Sequence, residues 1–167
     1  MRFEDKLRKI TRMSKKFHEK LGKRSVNKTR KLLRSGKDVT GGDMAPYTLK
    51  YMVQKTSGEI PGLKDKYATR IPNLSLTGRM LNPSSFKLTK ATKDGFTFGV
   101  SGKHGHKAIY HSGLGPDDKG KYLKSRYHRP ITKPDRVVHP EVEESILKSY
   151  VREIANNIKK LPKKEIL

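Results

Sequence analysis

The chain has 167 residues, 39 of them Lys or Arg against 16 Asp or Glu, giving a net charge of +23, with 32% hydrophobic residues, 7% aromatic and no Trp. That length suits one domain with one modest core, built from scattered Leu, Ile, Val, Phe and Tyr, and leaves much of the chain to water or a partner. The absence of cysteine excludes disulfides, thiolate metal sites and a cysteine nucleophile. So large a charge opposes compaction by self-repulsion, so a polyanion or an acidic protein surface is the expected counterweight, with nucleic acid first. The amino-terminal run MRFEDKLRKITRMSKKF is charged throughout and lacks the apolar centre of a signal peptide. No run approaches the ~20 apolar residues that cross a bilayer.

Residues 1–40 hold fifteen Lys or Arg and four Asp or Glu. Phe3, Leu7, Ile10, Phe17 and Leu21 recur at helical spacing, with Ser14 in the gap, and predict an amphipathic helix with a narrow apolar stripe that Gly22 is placed to interrupt. A second helical stretch, VNKTRKLLR, carries Val26, Leu32 and Leu33 and stops at Ser35-Gly36. Together they read as a basic helical arm over 1–40, either a solvated helix pair or an arm laid against nucleic acid or a neighbouring subunit.

Residues 41–167 read as an α+β domain. A glycine pair precedes a short helix expected from Tyr47 to Lys55, docked through Tyr47, Met52 and Val53, and a Gly-Pro loop follows. After the stretch IPNLSLTGRMLNP the period becomes two. Phe86 and Leu88 alternate with Lys87 and Thr89; beyond Asp94-Gly95, Phe96, Phe98 and Val100 alternate with Thr97 and Gly99, as in a β-hairpin. A three-residue loop, Lys93-Asp94-Gly95 with Gly95 left-handed, would pair Val100 with Leu88 and bring both apolar sets to one face. A two-residue loop would set them on opposite faces.

Beyond the hairpin, KHGHKAIYHSGLG is a glycine-bounded island with Ala108, Ile109 and Tyr110 as its apolar cluster. Residues 113–135 form a long polar loop, of a length usually functional or ordered by a partner. Pro140 then opens a helix in which Val142, Ile146, Tyr150, Ile154 and Ile158 repeat every four residues, joined by Leu147, Val151 and Leu161. Glu141, Glu143 and Glu144 sit in its first turn and Lys159-Lys160 in its last, as the macrodipole favours.

Candidate chemistry is sparse. Asp117-Asp118 is a lone pair in a glycine-rich loop, and His104-x-His106 has no third ligand at metal spacing. No phosphate-binding loop or nucleophile elbow occurs. The expectation is therefore no catalytic, metal or cofactor site. No helix-turn-helix or zinc-finger pattern supports base reading, and the aromatics are taken up by packing rather than by a stacking platform. Backbone-type electrostatic contact remains.

The order APYTLKYMVQK, LSLTGRMLNPSSFKLTKATKDGFTFGV, AIYHSGLG and KPDRVVHPEVEESILKSYVREI, over residues 43–160, resembles the phage virion morphogenesis family, the tail-completion and neck proteins of tailed bacteriophages. Thr77, Gly78 and Arg79 match that family's turn into a hairpin, Tyr110, His111 and Gly113 its tyrosine-histidine-glycine island, and Pro134 and Arg136 its approach to the last helix. The chain departs where Pro83 precedes the serine pair, where Tyr110 and His111 are adjacent, and where Val137-Val138 stand for Pro-Phe. Thr77 and Gly78 then read as architectural, a capping hydroxyl and a torsionally free glycine, as do Gly95, Tyr110, His111, Gly113 and Pro134.

The resemblance implies a non-enzymatic structural protein of the virion, at the neck or head-proximal tail end, assembled in the host cytoplasm into a ring, expected to be of six. It would join neighbouring neck, connector and tail tube proteins, with no membrane partner and no cofactor. Arg79, Lys121, Lys124, Arg126, Arg129 and Arg136 are the expected subunit-interface or DNA-channel contacts, touching packaged DNA without reading it. The alternative from charge and size is an RNA-binding subunit of ribosomal type. A nuclease, the third class, would need metal-dependent cleavage.

Overall fold

The computed structural model describes residues 3–38, 41–44, 46–61, 63, 68, 70, 81–101 and 138–162. Among them are four helices and a two-stranded antiparallel sheet, so the chain is α+β. Helix α1 spans Phe3–Thr11, with Glu4 and Asp5 in its first turn and Arg8 and Lys9 in its last. The continuous helix expected as far as Leu21 is broken earlier, because Ser14 leaves helical torsions and its hydroxyl accepts from the Phe17 amide at 3.0 Å, capping a new helix.

That helix, α2, runs Lys15–Arg34 and passes straight through Gly22, which interrupts nothing. It stops where expected. Gly36 takes φ 84°, and the Lys37 and Gly36 amides donate to the Leu32 and Leu33 carbonyls at 3.0 and 3.4 Å, a Schellman closure.

Helix α3 covers Leu49–Thr56 and begins after Tyr47, since Thr48 is its cap and accepts from the Tyr51 amide at 3.4 Å. Tyr47 and Met52 are half-buried as expected, whereas Val53 faces solvent and does not dock. The buried apolar contact expected of Val53 is replaced by Lys55, whose buried stem carries its ammonium to the Tyr47 hydroxyl at 2.7 Å and over the Tyr47 ring at 4.5 Å.

Strands β1 (Phe86–Ala91) and β2 (Phe96–Val100) form the hairpin. Its register differs from the expected one. Ala91 pairs with Phe96 across residues 92–95, Gly95 is not left-handed, and Val100 pairs with Phe86 rather than Leu88. A four-residue connection alone would set the apolar sets on opposite faces. A bulge between Leu88 and Lys90 restores the parity, so that Phe86–Val100 and Leu88–Phe98 face the same way. The bulged Thr89 turns its hydroxyl to the Thr97 carbonyl at 3.0 Å, and Thr92 stands in for the left-handed glycine by bonding Gly95 and accepting from the Asp94 amide.

Helix α4 spans Pro140–Lys159 as the pattern requires. Its cap is His139, whose Nδ1 accepts from the Glu141 amide at 3.1 Å.

Helix α2 is the packing centre: it lies against both strands and against α4, which also meets α1. At one end Leu33, Met44 and Leu81 cluster with Val100 beside them. At the other, buried His18 joins three elements, with Nδ1 2.7 Å from the Thr92 carbonyl and Nε2 2.8 Å from the Tyr150 hydroxyl. The carbonyl can only accept, so Nδ1 donates to it, and Nε2 shares the second bond with the Tyr150 hydroxyl. Phe17 and Phe96 enclose the ring. In α4, Val142 is buried and Ile146, Tyr150 and Ile154 are half-buried, while Ile158, the last of the four-residue repeat, and Leu147 and Val151, read as joining it, remain exposed.

Gly22 sits where the hairpin crosses α2. A β-carbon there would run into Leu88 Cδ1 and stand 3.0 Å from the Phe96 ring. Helix propensity alone favours replacement, but Gly22→Val should destabilise by about 1–3 kcal/mol through overpacking, measured by urea unfolding. A gain in stability would show that the hairpin does not bear on α2 at this point.

Burial lowers the His139 pKa, with the Glu141 carboxylate opposing the shift, and the cap requires an unprotonated Nδ1. A folded-state pKa below the unfolded one means stability fully present above the ordinary histidine range, near 6.5, and lost as pH falls through the lowered value. His139→Asn, which caps without titrating, should flatten the melting temperature against pH between about 7 and 5 relative to wild type; parallel curves would remove His139 from the explanation.

Candidate nucleic-acid interface

With 3.6 residues per turn, residues of α2 at positions 16, 20, 23, 27, 31 and 34 fall along one side. They are Lys16, Lys20, Lys23, Asn27, Lys31 and Arg34, all exposed, and Arg24 flanks them, exposed as well. The buried residues of the same helix, His18, Leu21, Gly22, Ser25, Val26, Thr29 and Leu33, occupy the opposite side. The result is a straight basic ridge about 27 Å long at 1.5 Å per residue, with Asn27 its single uncharged member.

Not every cation of α2 belongs to the ridge. Arg30 is half-buried and donates to the Phe86 carbonyl at 2.7 Å and to Asn27 Oδ1 at 2.9 Å. Burial, with Arg34 nearby, lowers its pKa. Arg34 donates to the Leu81 carbonyl at 3.2 Å and so holds the start of the hairpin while ending the ridge. Lys28 leans to α4, bonding the Glu141 carbonyl at 2.8 Å and its carboxylate at 3.7 Å. Glu19 pairs with Lys15 rather than with the ridge. Among the described residues, none of Lys16, Lys20, Lys23 and Lys31 has a carboxylate within ion-pair distance.

Beside the ridge, Arg24 and Lys28 form one wall of a groove of about 320 Å³ whose other wall is Glu141, Glu144, Ser145, Lys148, Ser149 and Arg152 of α4. Glu144 and Lys148 pair with each other across one turn, which leaves Arg24 and Arg152 as the groove's uncommitted cations among the described residues. A second hollow, about 350 Å³, is lined by Thr11, Arg12, Met13, His18, Lys93, Asp94 and Tyr150. A histidine beside a tyrosine there suggests acid-base chemistry, but both His18 nitrogens are engaged in holding elements together. Burial raises the Tyr150 pKa, so the hydroxyl keeps its proton. The pair works as a clamp.

Of the residues singled out from sequence, Gly95 alone is described, as the last residue of the hairpin connection. Thr77, Gly78, Arg79, Tyr110, His111, Gly113, Lys121, Lys124, Arg126, Arg129, Pro134 and Arg136 lie outside the described residues, as do His104, His106, Asp117 and Asp118. Among the described residues no group of three or more His, Asp or Glu could hold a metal ion, and no helix is long and apolar enough to cross a membrane. The ridge was missed as a site because the basic stretch was read for its charge and not for its phase. The signal was there in the four-three-four spacing of Lys16, Lys20, Lys23 and Asn27.

A ridge of this kind can meet phosphates in series. Exposed ammonium groups along a rigid rod offer point charges at fixed spacing, add affinity by counterion release and carry no base-reading geometry. In comparisons with known proteins, no family model matches the chain, and no curated protein or solved structure proves similar to it.

Proposed function

We propose that this chain is a structural protein of a tailed-phage virion, one subunit of a ring at the neck or head-proximal tail end, with the α2 ridge turned to packaged DNA. The ridge is the observation that carries the nucleic-acid part: a one-sided, 27 Å-scale line of lysines with no described carboxylate set against them. The virion part rests on the ordered motifs of residues 43–160. The ring of six, its neck and tail-tube neighbours, and the absence of catalysis follow from the same resemblance. Contact with DNA is then independent of sequence, as a channel wall or an acidic neighbouring ring would require.

A phosphate backbone of RNA would satisfy the same ridge, so an RNA-binding subunit of ribosomal type is the second reading. Its recognition would add 2′-hydroxyl contacts to the electrostatic ones.

Replacing Lys16, Lys20, Lys23 and Lys31 together by Gln tests the ridge, since all four are exposed and the fold should stand. The slope of log K against log salt for duplex DNA should shallow by about one unit per lysine, ~4 in all, equally for unrelated sequences. An unchanged slope would move DNA contact elsewhere on the chain. Immunogold labelling of particles from the source culture separates the two readings: label at the head-tail junction supports the ring, whereas unlabelled particles with the chain sedimenting among ribosomes would assign the ridge to RNA.

A further inference from the structure

Helix α4 has an apolar stripe on its solvent side. Leu147 is 59% exposed, Val151 67% and Ile158 41%, and at 100° per residue the three fall within about 40° of one another, with half-buried Ile154 at their edge. Val142 is buried and Tyr150 packs inward on the other side of the helix, so among the described residues this second apolar stripe has no internal use, and in water such a stripe marks a surface awaiting a partner.

We infer that the stripe is covered by the same stripe of a second copy, the two α4 helices lying antiparallel. The charge along α4 selects this occupant. Its first turn carries Glu141 and Glu143 with Glu144 next, Glu141 and Glu144 being paired already to Lys28 and Lys148 and Glu143 left to face outward, while Lys159 and Lys160 lie at its carboxyl-terminal end. A parallel pair would bring like charges together at both ends; an antiparallel pair sets each acidic end against the partner's basic end. The register follows by counting. With the two-fold axis between Arg152 and Glu153, Leu147 of one copy meets Ile158 of the other and Val151 meets Ile154, while the Glu143–Glu144 turn comes level with the end of the other helix beside Lys159 and Lys160. One placement sets apolar on apolar and brings each acidic end level with the other helix's basic end, where the long lysine stems flank the stripe rather than face it.

This contact is isologous and closes after two copies, so it does not build a ring, and it does not rest on the proposed virion role. A single helix pair buries less than the ~800 Å² per partner of a standard stable interface, so the dimer is weak and concentration-dependent. The chain has no cysteine, which gives the test a clean background. Leu147 and Ile158 of one helix are about 16 Å apart, beyond disulfide reach, and so are two Leu147 or two Ile158 residues in the antiparallel pair. Full-length L147C/I158C, oxidised with oxidised glutathione at about 0.15 M salt, where screening over ~8 Å weakens the bodies' net repulsion, should give a covalent dimer. Neither single variant should do so. Unmodified protein should show a reversible monomer-dimer equilibrium by sedimentation, lost in Val151→Lys with its circular dichroism unchanged.

Efficient dimers from either single variant would mean a parallel or unrelated contact and overturn the proposal. A chain monomeric at every concentration, with no cross-link in the double variant, would overturn it too and give the stripe to a different protein. Loss of the dimer with DNA binding intact would sink this inference alone, and the reverse result would sink the DNA-facing role alone.

Discussion

The close approach of the hairpin to α2 at Gly22 sets where the other described elements can lie. Only a residue without a β-carbon lets Leu88 and Phe96 come down onto the helix at that level. Once they do, the turn at Thr92 arrives above His18 and the start of β1 arrives beside Arg30. His18 then reaches Tyr150 and fixes α4 to the same helix. A mid-helix glycine costs about 1 kcal/mol in propensity; here the cost is offset by the contact surface it opens, and the helix continues because α2 is held on both sides over its length.

The basic residues of α2 divide by what their heads meet. Arg30 and Arg34 satisfy backbone carbonyls at the edge of the hairpin and at Leu81, which a short ammonium could reach less well than a forked guanidinium. Lys28 bonds α4 at the Glu141 carbonyl. These cations are part of the fold's polar accounting. Lys16, Lys20, Lys23 and Lys31 are not, and their removal subtracts charge without subtracting a described contact. That separation makes the ridge experimentally accessible in a protein whose total charge would otherwise blur every substitution.

How far the sequence foretold the fold depends on how local each cue was. The α4 helix was legible in its extent, from Pro140 to the last lysines, because its apolar period, acidic start and basic end agree, but not in its facing, since Leu147, Val151 and Ile158 lie exposed. The Ser35-Gly36 stop was legible for the same reason. The break before α2 was assigned to Gly22 when the cap at Ser14 made it, since a glycine's permissiveness is visible in a sequence and its use as a contact point is not. The hairpin was legible as a hairpin, but parity was assigned to loop length when a bulge at Thr89 supplied it; two devices give the same facing, and nothing local distinguishes them. Lys55, an exposed charge by type, is buried because Tyr47 sits eight residues earlier with a hydroxyl and a ring face to offer. The candidate site was read on residues 77–136, while the interface argued from the structure lies on α2, where composition pointed but phase had not been followed.

The ridge also carries its own argument from energetics. Viewed down α2, the contacts to α4 run along the side marked by Leu21 and Lys28, and those to the hairpin along the side marked by Gly22, Leu33 and Arg30. The ridge is the remaining strip. A helix needing only solubility there would alternate signs, because opposite charges three or four apart stabilise by about 0.2–0.5 kcal/mol a pair and like charges cost about as much. Lys16 with Lys20, Lys20 with Lys23 and Arg24, and Lys31 with Arg34 are all like pairs, a cost of about 1–2 kcal/mol on that arithmetic that Glu19, three residues from Lys16 and four from Lys23, offsets only in part. An anionic rod laid along the strip would offset this repulsion with an attraction to each cation. Among the described residues the lysines gather on the side of the central helix that faces neither α4 nor the hairpin, and this one-sidedness is what supports the proposed contact with a polyanion.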